Sequence, residues 1–475
     1  LLLRQRRGLH ARIGHLLDAL PGEPTAERAA LLAHHFARSD DRERAVTALL
    51  TAAREAERIP SFRAAAGFYR DAFEMADGLF QTGASGADLP QHTLQAAYGL
   101  CRMAVIYGVA GLDEAERAGR RGRQLAEQLN DTEAFVDLCS LQGSLAMSNR
   151  AREKFEAGFA IVEEGLGVAQ RAGLAMPAAR ALRALAAGYF YDGRFEQAER
   201  TIDTAITEFA RVDAPDRPSD LALGARVMRD RLAYYRDDPV EMLERAAATY
   251  DTAVRISNRT IQVVSAATLA QAHLVRAEYE AARHWVEKSL GVALATGNVG
   301  ATRSAAAIGL IAGLEVGDTG PTARYLDLLE QGPTGNLEPL GGALIIEALL
   351  AAGALAQAEQ YAETAYASAG GRLREAVGAL ALGDVRLRNG AARAAEAHDW
   401  YDRARRLADD LGARSLAAAA MLGLGELAVA RGDTAAGTSL FEEALVVYRR
   451  LGLGHYAARA ERLLAARNAD VQRSA

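Results

Sequence analysis

The side chains most suggestive of chemistry are two adjacent histidines, in the run Leu31-Leu32-Ala33-His34-His35-Phe36. A metal ion needs ligands that converge, and neighbouring residues of a helix point about 100° apart. The pair therefore reads as packing. His10 and His15 are five residues apart, which misses the facing positions, and none of the nine histidines sits in a His-Glu-x-x-His pattern. Adjacent carboxylates occur at Glu163-Glu164 and Asp409-Asp410. General acid–base work needs two carboxyl groups facing one substrate, and neighbours on a helix diverge, so both pairs read as solvated faces. The only lysines are Lys154 and Lys288, each preceded by glutamate. The Gly-Lys-Ser/Thr step of a phosphate-binding P-loop is thus missing, as is any Gly-x-Ser-x-Gly nucleophile elbow. These residues assign no catalytic, metal or cofactor position, and this segment is expected to be neither an enzyme nor a cofactor carrier.

Arginine supplies nearly all the positive charge. Arg117, Arg120, Arg121 and Arg123 form one cluster, and Arg4, Arg6, Arg7 and Arg12 another. Solvated helix surface is their default reading, with an interdomain or acidic contact as the alternative. The net charge of -6 and the lack of interleaved aromatics argue against nucleic acid. Cys101 and Cys139 lie in apolar runs and read as buried free thiols. The longest apolar stretches, 343–356 and 416–430, are interrupted by Glu347 and Glu426, so no membrane span is expected and a cytoplasmic location is. The sequence opens at Leu1, without methionine and inside a helical pattern, which suggests that an N-terminal part precedes it.

The elements that would position these side chains are helices. The chain has 475 residues, half of them hydrophobic but only 6% aromatic, too long for one ordinary core and natural for a repeat stack. A short amphipathic helix over 9–20 ends at Pro21-Gly22. Thr25–Arg38 follows, then Arg42–Arg58 after a stop and cap at Ser39-Asp40, then a helix from Pro60-Ser61 through Ala76. The Gly-, Ser- and Asp-rich stretch 78–90 reads as a loop between an N-terminal block (1–77) and a main array (91–468). In the array, helix pairs recur about every 40 residues. They end near Asn130, Gly173, Asp213, Ser257, Gly297, Asn336, Gly370, Gly412 and Gly452, where Asn or Gly suits a left-handed cap. Proline-bearing loops at 214–219 and 332–339 could bend the stack. The last helix, 454–467, reads as a cap before a polar tail, 469–475.

One local pattern repeats. Gly193 to Ala198 is followed seven residues on by Ala205, Gly353 to Ala358 by Ala365, and Gly432 to Gly437 by Ala444; Ala277 to Ala282, then Ser289, is a looser copy. Seven residues is two helical turns, so the two small residues share one face and admit a neighbouring helix closely. Ala45/Ala52 and Ala65/Ala72 show the same pairing.

Leu382-Gly383 with Asn389-Gly390, and Leu424-Gly425 with Arg431-Gly432-Asp433, resemble the Leu-Gly…Gly-Asp pattern of tetratricopeptide repeats. The resemblance covers about residues 25–468. It implies an all-α, right-handed superhelical solenoid of about ten or eleven helix hairpins. In that family the first helix of each pair lines the concave side. The register carries Gln271, Glu347, Asp384 and Glu426 to equivalent inward positions, with Arg180, Arg183, Phe190 and Tyr191 lining an earlier stretch. Such a groove implies a protein or peptide partner of basic or mixed charge.

A second resemblance covers about 70 residues. Leu9-His10-Ala11-Arg12-Ile13-Gly14, the run 31–36, Arg44-Ala45-Val46 and Phe62-Arg63-Ala64-Ala65 are similar to the junction where a bacterial signal-transduction ATPase passes into its tetratricopeptide tail. Such junctions occur in class III nucleotide cyclases with an AAA-like ATPase and in antibiotic-regulatory or LuxR-type activators. The resemblance implies a non-catalytic sensor module acting on an upstream ATPase in cis. The alternatives are the effector-sensing tail of a transcription activator and a free-standing scaffold. No helix-turn-helix pattern closes the chain, which departs from the LuxR-type layout.

Overall fold

The computed structural model describes residues 3–22, 25–59, 61–83, 88–105, 110–214, 217–236, 238–296, 298–330, 339–390 and 393–474. Among these residues there are 23 helices and no strand. They are α1 (Leu3–Asp18), α2 (Ala26–Ala37), α3 (Arg42–Arg58), α4 (Phe62–Gln81), α5 (Leu89–Val105), α6 (Leu112–Gln128), α7 (Thr132–Met147), α8 (Arg152–Arg171), α9 (Ala175–Tyr191), α10 (Phe195–Val212), α11 (Asp220–Tyr235), α12 (Pro239–Arg255), α13 (Arg259–Val275), α14 (Tyr279–Thr296), α15 (Val299–Glu315), α16 (Thr322–Glu330), α17 (Pro339–Ala351), α18 (Leu355–Ala367), α19 (Arg372–Arg388), α20 (Ala394–Leu411), α21 (Arg414–Ala430), α22 (Thr434–Arg450) and α23 (Gly454–Ser474). The fold is an all-α array of tetratricopeptide-like helix hairpins.

The chain divides into two compact units, Leu1–Met147 with Glu156–Ala184, and Ser148–Phe155 with Leu185–Ala475. Successive helices pack against one another from α1 to α7 in the first unit and from α10 to α16 and α17 to α23 in the second. In the second unit the first helices of consecutive pairs, α11, α13, α15, α17, α19 and α21, also touch one another in sequence. They form one continuous row, which the repeat register assigns to the inner face.

Local chemistry sets the helix ends. Thr25 Oγ1 accepts the Arg28 amide at 3.2 Å and opens α2. Asp41 caps α3 through the Arg44 amide, while Ser39 donates to the Phe36 carbonyl and accepts the Asp41 amide. The cap therefore falls one residue beyond the expected Ser39-Asp40. Helix α4 runs on to Gln81 and α5 begins at Leu89, because Leu79 and Phe80 still pack on the first unit's core. Asn130, Gly173, Ser257, Gly412 and Gly452 take positive φ, as the cap reading expects. Near Gly370 the positive φ falls on Gly371, and Asp213 is extended at φ -73°. The expected stops at Gly297 and Asn336, and most of the 332–339 loop, lie outside the described residues.

The repeated turn is a structural repeat. Gly193, Gly353, Gly432 and Ala277 occupy the same left-handed conformation, at φ 75°, 75°, 88° and 64°. Ala277 carries a Cβ there at a steric cost of about 1–2 kcal/mol, partly offset by the entropy that glycine would lose. Ala277→Gly is expected to stabilise the chain by about 0.5 kcal/mol in urea denaturation; a loss of stability would contradict the left-handed turn.

The small pairs also behave as their spacing implies. Ala198, Ala205, Ala282, Ser289 and Ala444 are essentially buried, whereas Ala365 is half-buried. The Leu-Gly glycines make room for an aromatic of the following helix. A Cβ on Gly383 would lie 2.7 Å from the fully buried Tyr401 ring, and one on Gly425 2.6 Å from Phe441. Gly423 is tighter still, at 2.2 Å from Tyr401. Gly423→Ala is expected to cost about 1–3 kcal/mol by overpacking, read as a lower denaturation midpoint; unchanged stability would mean that Tyr401 is not fixed between α19 and α21.

Candidate functional site

The residues that first suggested chemistry occupy structural positions. His35 Nδ1 lies 3.0 Å from His10 Nδ1, and the His34 ring packs edge-on against His35. Burial, aided by Arg38 and His10, pushes the pKa values of His34 and His35 down. Among the described residues no group of three His, Cys, Asp or Glu side chains is arranged to hold a metal ion. Cys101 and Cys139 are buried free thiols, pushed up to about 12 by burial, and are therefore inert. Glu163, Glu164, Asp409 and Asp410 are exposed. Two arginines of the 117–123 cluster are committed within the first unit, Arg121 to Asp77 and Arg123 to Glu164, each at 2.7 Å. No described helix is long and apolar enough to cross a membrane.

The inward positions carried from the repeat register are more productive. Glu347 on α17, Asp384 on α19 and Glu426 on α21 all act on Arg459, and Glu315 at the end of α15, which the register did not single out, lies beside His455 and Arg462. The last helix, α23, lies against this acidic face. His455, Arg459 and Arg462 stand at i, i+4 and i+7, one face of a helix, and each takes a carboxylate.

His455 Nε2 is 3.0 Å from Glu347 Oε1, and its Nδ1 is 3.2 Å from the Tyr279 hydroxyl. A proton on Nε2 satisfies both contacts, donating to Glu347 and leaving Nδ1 to accept from Tyr279. Arg459 Nη2 donates to Glu426 Oε1 at 2.7 Å, and Arg388 approaches the other oxygen at 3.4 Å. Arg462 forks onto Glu315 with two hydrogen bonds, of 3.0 and 2.8 Å, the geometry in which guanidinium and carboxylate bind best.

Charge states follow from the packing. Burial opposes ionisation of Glu347, but the His455 hydrogen bond, the Arg459 charge and the Tyr456 hydroxyl outweigh it, and its carboxyl is held below the usual range. Burial dominates at Asp384 and pushes it up to about 6, against the pull of Arg459 and the 2.7 Å hydrogen bond from Tyr401. Burial works against the Arg459 charge as well, yet Glu426, Asp384 and Glu347 raise its pKa.

A partly open cavity of about 90 Å³ lies where α23 meets this face. Tyr234, Tyr235, Glu347, Asp384, Tyr456 and Arg459 are among its lining residues.

The other inward candidates do not join this cluster. Gln271 is buried on α13, with Nε2 lacking a hydrogen-bond partner. Arg180 belongs to the first unit, where it holds Asp137 and Glu133 at 2.7 and 2.8 Å, and Arg183 is half-buried on the same helix. Phe190 is 3% exposed in the second unit's core, packed edge-on with Tyr235. Tyr191 lies beneath the Arg374 guanidinium, 3.6 Å from the ring centroid. Of the groups that sequence reasoning missed, His455, Arg459 and Arg462 carried a signal in their i, i+4, i+7 spacing, and Tyr456 carried none.

Comparison with known proteins gives fold likeness alone. No family model matches the chain, and no curated protein matches it in sequence. Solved structures of similar fold include yeast Tom70, with 14% identity over 99% of this chain and 96% of that one, at a TM-score of 0.37. Another is a signal transduction ATPase with numerous domains and a tetratricopeptide repeat sensor from Pyrococcus horikoshii, at 13% identity and a TM-score of 0.42. It is matched over 86% of this chain and 54% of its own length, so this chain spans about half of it. Aspartyl phosphate phosphatase F of Bacillus subtilis is similar over 84% of this chain and 94% of its own, with 10% identity and a TM-score of 0.42.

Proposed function

We propose that this chain is a non-catalytic recognition module whose acidic inner face binds a basic or mixed-charge segment of a partner protein. In this reading it is the sensor part of a larger cytoplasmic bacterial regulator and biases an upstream signalling ATPase or cyclase in cis. The observation that carries the reading is that Glu315, Glu347, Asp384 and Glu426, from four successive first helices, all act on the same three side chains of α23. Carboxylates so placed repel one another unless cations lie against them, so the face selects for positive charge. Coupling to an ATPase requires that the partner bind one state of the regulator better than another.

Titration of the full chain with labelled helical peptides of matched length, one basic, one acidic and one neutral, tests the recognition step. The basic peptide alone is expected to bind, and the triple variant Glu347→Ala, Asp384→Ala, Glu426→Ala is expected to lose at least tenfold in affinity, about 1.4 kcal/mol. Equal binding of the acidic and basic peptides would refute it. The gene sequence upstream of the Leu1 codon tests the regulatory step. An in-frame P-loop ATPase supports it, and a start codon there favours the free-standing scaffold.

A further inference from the structure

The inner face already holds a cationic helix, and the details of that contact say what kind of partner fits. Capping a repeat stack requires only apolar cover. Helix α23 supplies that through Ala457 and Ala460, both buried like Leu453 just before it, and through Tyr456, whose ring stacks on Tyr448 with centroids 5.5 Å apart. His455, Arg459 and Arg462 are superfluous to that task. They reach instead to α15, α17 and α21, across the inner face. The start of the helix is seated closely as well: a Cβ on Gly454 would lie 2.7 Å from the Arg276 carbonyl oxygen, at the turn after α13. The seat is nevertheless not filled, because the cavity of about 90 Å³ remains beside Tyr456 and Arg459. That volume exceeds what one water occupies by the same measure, so a larger side chain on the docking face would gain contacts that α23 lacks.

We propose that α23 is a resident ligand of the acidic face, and that the face recognises an α-helical segment of a partner protein with a hydrogen-bond donor at i and cationic side chains at i+4 and i+7, which displaces α23 when it binds. The proposal rests on the reading of the inner face as a recognition surface and names its ligand class. Tethering gives α23 a high effective concentration, so a partner helix binds the closed chain more weakly than the open one by the fraction of chains that are open. The short connection Leu451-Gly452-Leu453, with Gly452 at φ 69°, joins α22 to α23 and is where release would pivot.

The test uses the full chain and a fluorescein-labelled peptide of residues 453–467. Gly454→Val removes the close seat without altering any charge. Hydrogen exchange across 455–467 is expected to rise at least tenfold in this variant, with α13 to α21 unchanged. The peptide is expected to bind the variant at least tenfold more tightly than the wild-type chain. A peptide with glutamate at the positions of His455, Arg459 and Arg462 is expected to bind neither. If Gly454→Val does not fold, Arg459→Glu with Arg462→Glu releases α23 instead. Equal affinity for the closed and released chains overturns the proposal while leaving the recognition reading intact. Failure of every cationic peptide to bind a chain whose α23 has been shown to exchange freely overturns both.

Discussion

Arg459→Met is expected to detach α23 while leaving the rest of the second unit folded. Arg459 is hydrogen-bonded to Glu426, and its charge is held by Glu426, Asp384 and Glu347 against the cost of burial. Removing one partner of a buried ion pair leaves the others without compensation, at a cost of about 3–5 kcal/mol. The low end applies here, about 3 kcal/mol, because the Arg459 side chain keeps an edge 30% exposed. The carboxylates recover hydration by letting α23 go, so the loss falls on local opening and not on global unfolding. The effect depends on pH in a defined direction. Asp384 titrates at about 6 in the folded chain against an ordinary 3.8. A raised carboxyl pKa means that the folded form takes up its proton first, so stability from this group increases as pH falls through 6. Tyr401, Glu426 and Arg388 face the same carboxyl, and without Arg459 its pKa rises further. The deficit of Arg459→Met is therefore expected to be largest near pH 8 and to shrink by pH 5. Hydrogen exchange of 455–467 at the two pH values, corrected for intrinsic rates, checks this.

Gly371→Ala is expected to be the most damaging single methyl group in the second unit. Gly371 caps α19 at φ 91°, ψ 150°, a region open essentially to glycine alone, at about 1–3 kcal/mol for any other residue. Its added Cβ would lie 2.4 Å from the Tyr191 carbonyl oxygen, a backbone atom that cannot rotate away. That carbonyl precedes Asp192, whose side chain is fully buried and accepts hydrogen bonds from Arg152, from Arg194 at 2.8 Å and from the Arg372 amide at 3.3 Å. Burial opposes the Asp192 charge, but these donors hold its carboxyl below the usual range. Relief of the clash would pull this junction apart, so strain and lost hydrogen bonds add to about 4 kcal/mol. Gly224→Ala, where a Cβ meets open space, serves as the control and is expected to be neutral or stabilising by up to about 1 kcal/mol. Chemical denaturation of the three chains distinguishes them, and equal midpoints would contradict the contact.

The repeat architecture was legible because it is local. Turn glycines, small residues seven apart and Leu-Gly pairs each report on a single hairpin, and the left-handed turns at Gly193, Ala277, Gly353 and Gly432 follow from them. The same register carries Glu347, Asp384 and Glu426 to equivalent positions of their hairpins, since one hairpin repeats the next. What faces them does not. The seat of α23 depends on how far the first helices curve over several repeats, a sum of small rotations that no local window contains. The spacing of His455, Arg459 and Arg462 was visible, but a solvated helix shows the same spacing. Phe190 and Tyr191 illustrate the converse: carried to a groove by analogy, they are claimed instead by packing with Tyr235 and Arg374.

The grip of the acidic face on α23 is tested most directly by a double-mutant cycle of Arg459→Met and Glu426→Gln, read as the opening free energy of α23 in native-state hydrogen exchange. Residues joined by a 2.7 Å charged hydrogen bond should couple by about 1–3 kcal/mol. A coupling in that range means that the acidic face holds the helix through this pair. A coupling of zero, with both single variants as tightly closed as the wild-type chain, would mean that apolar cover alone seats α23 and that the acidic face recognises nothing.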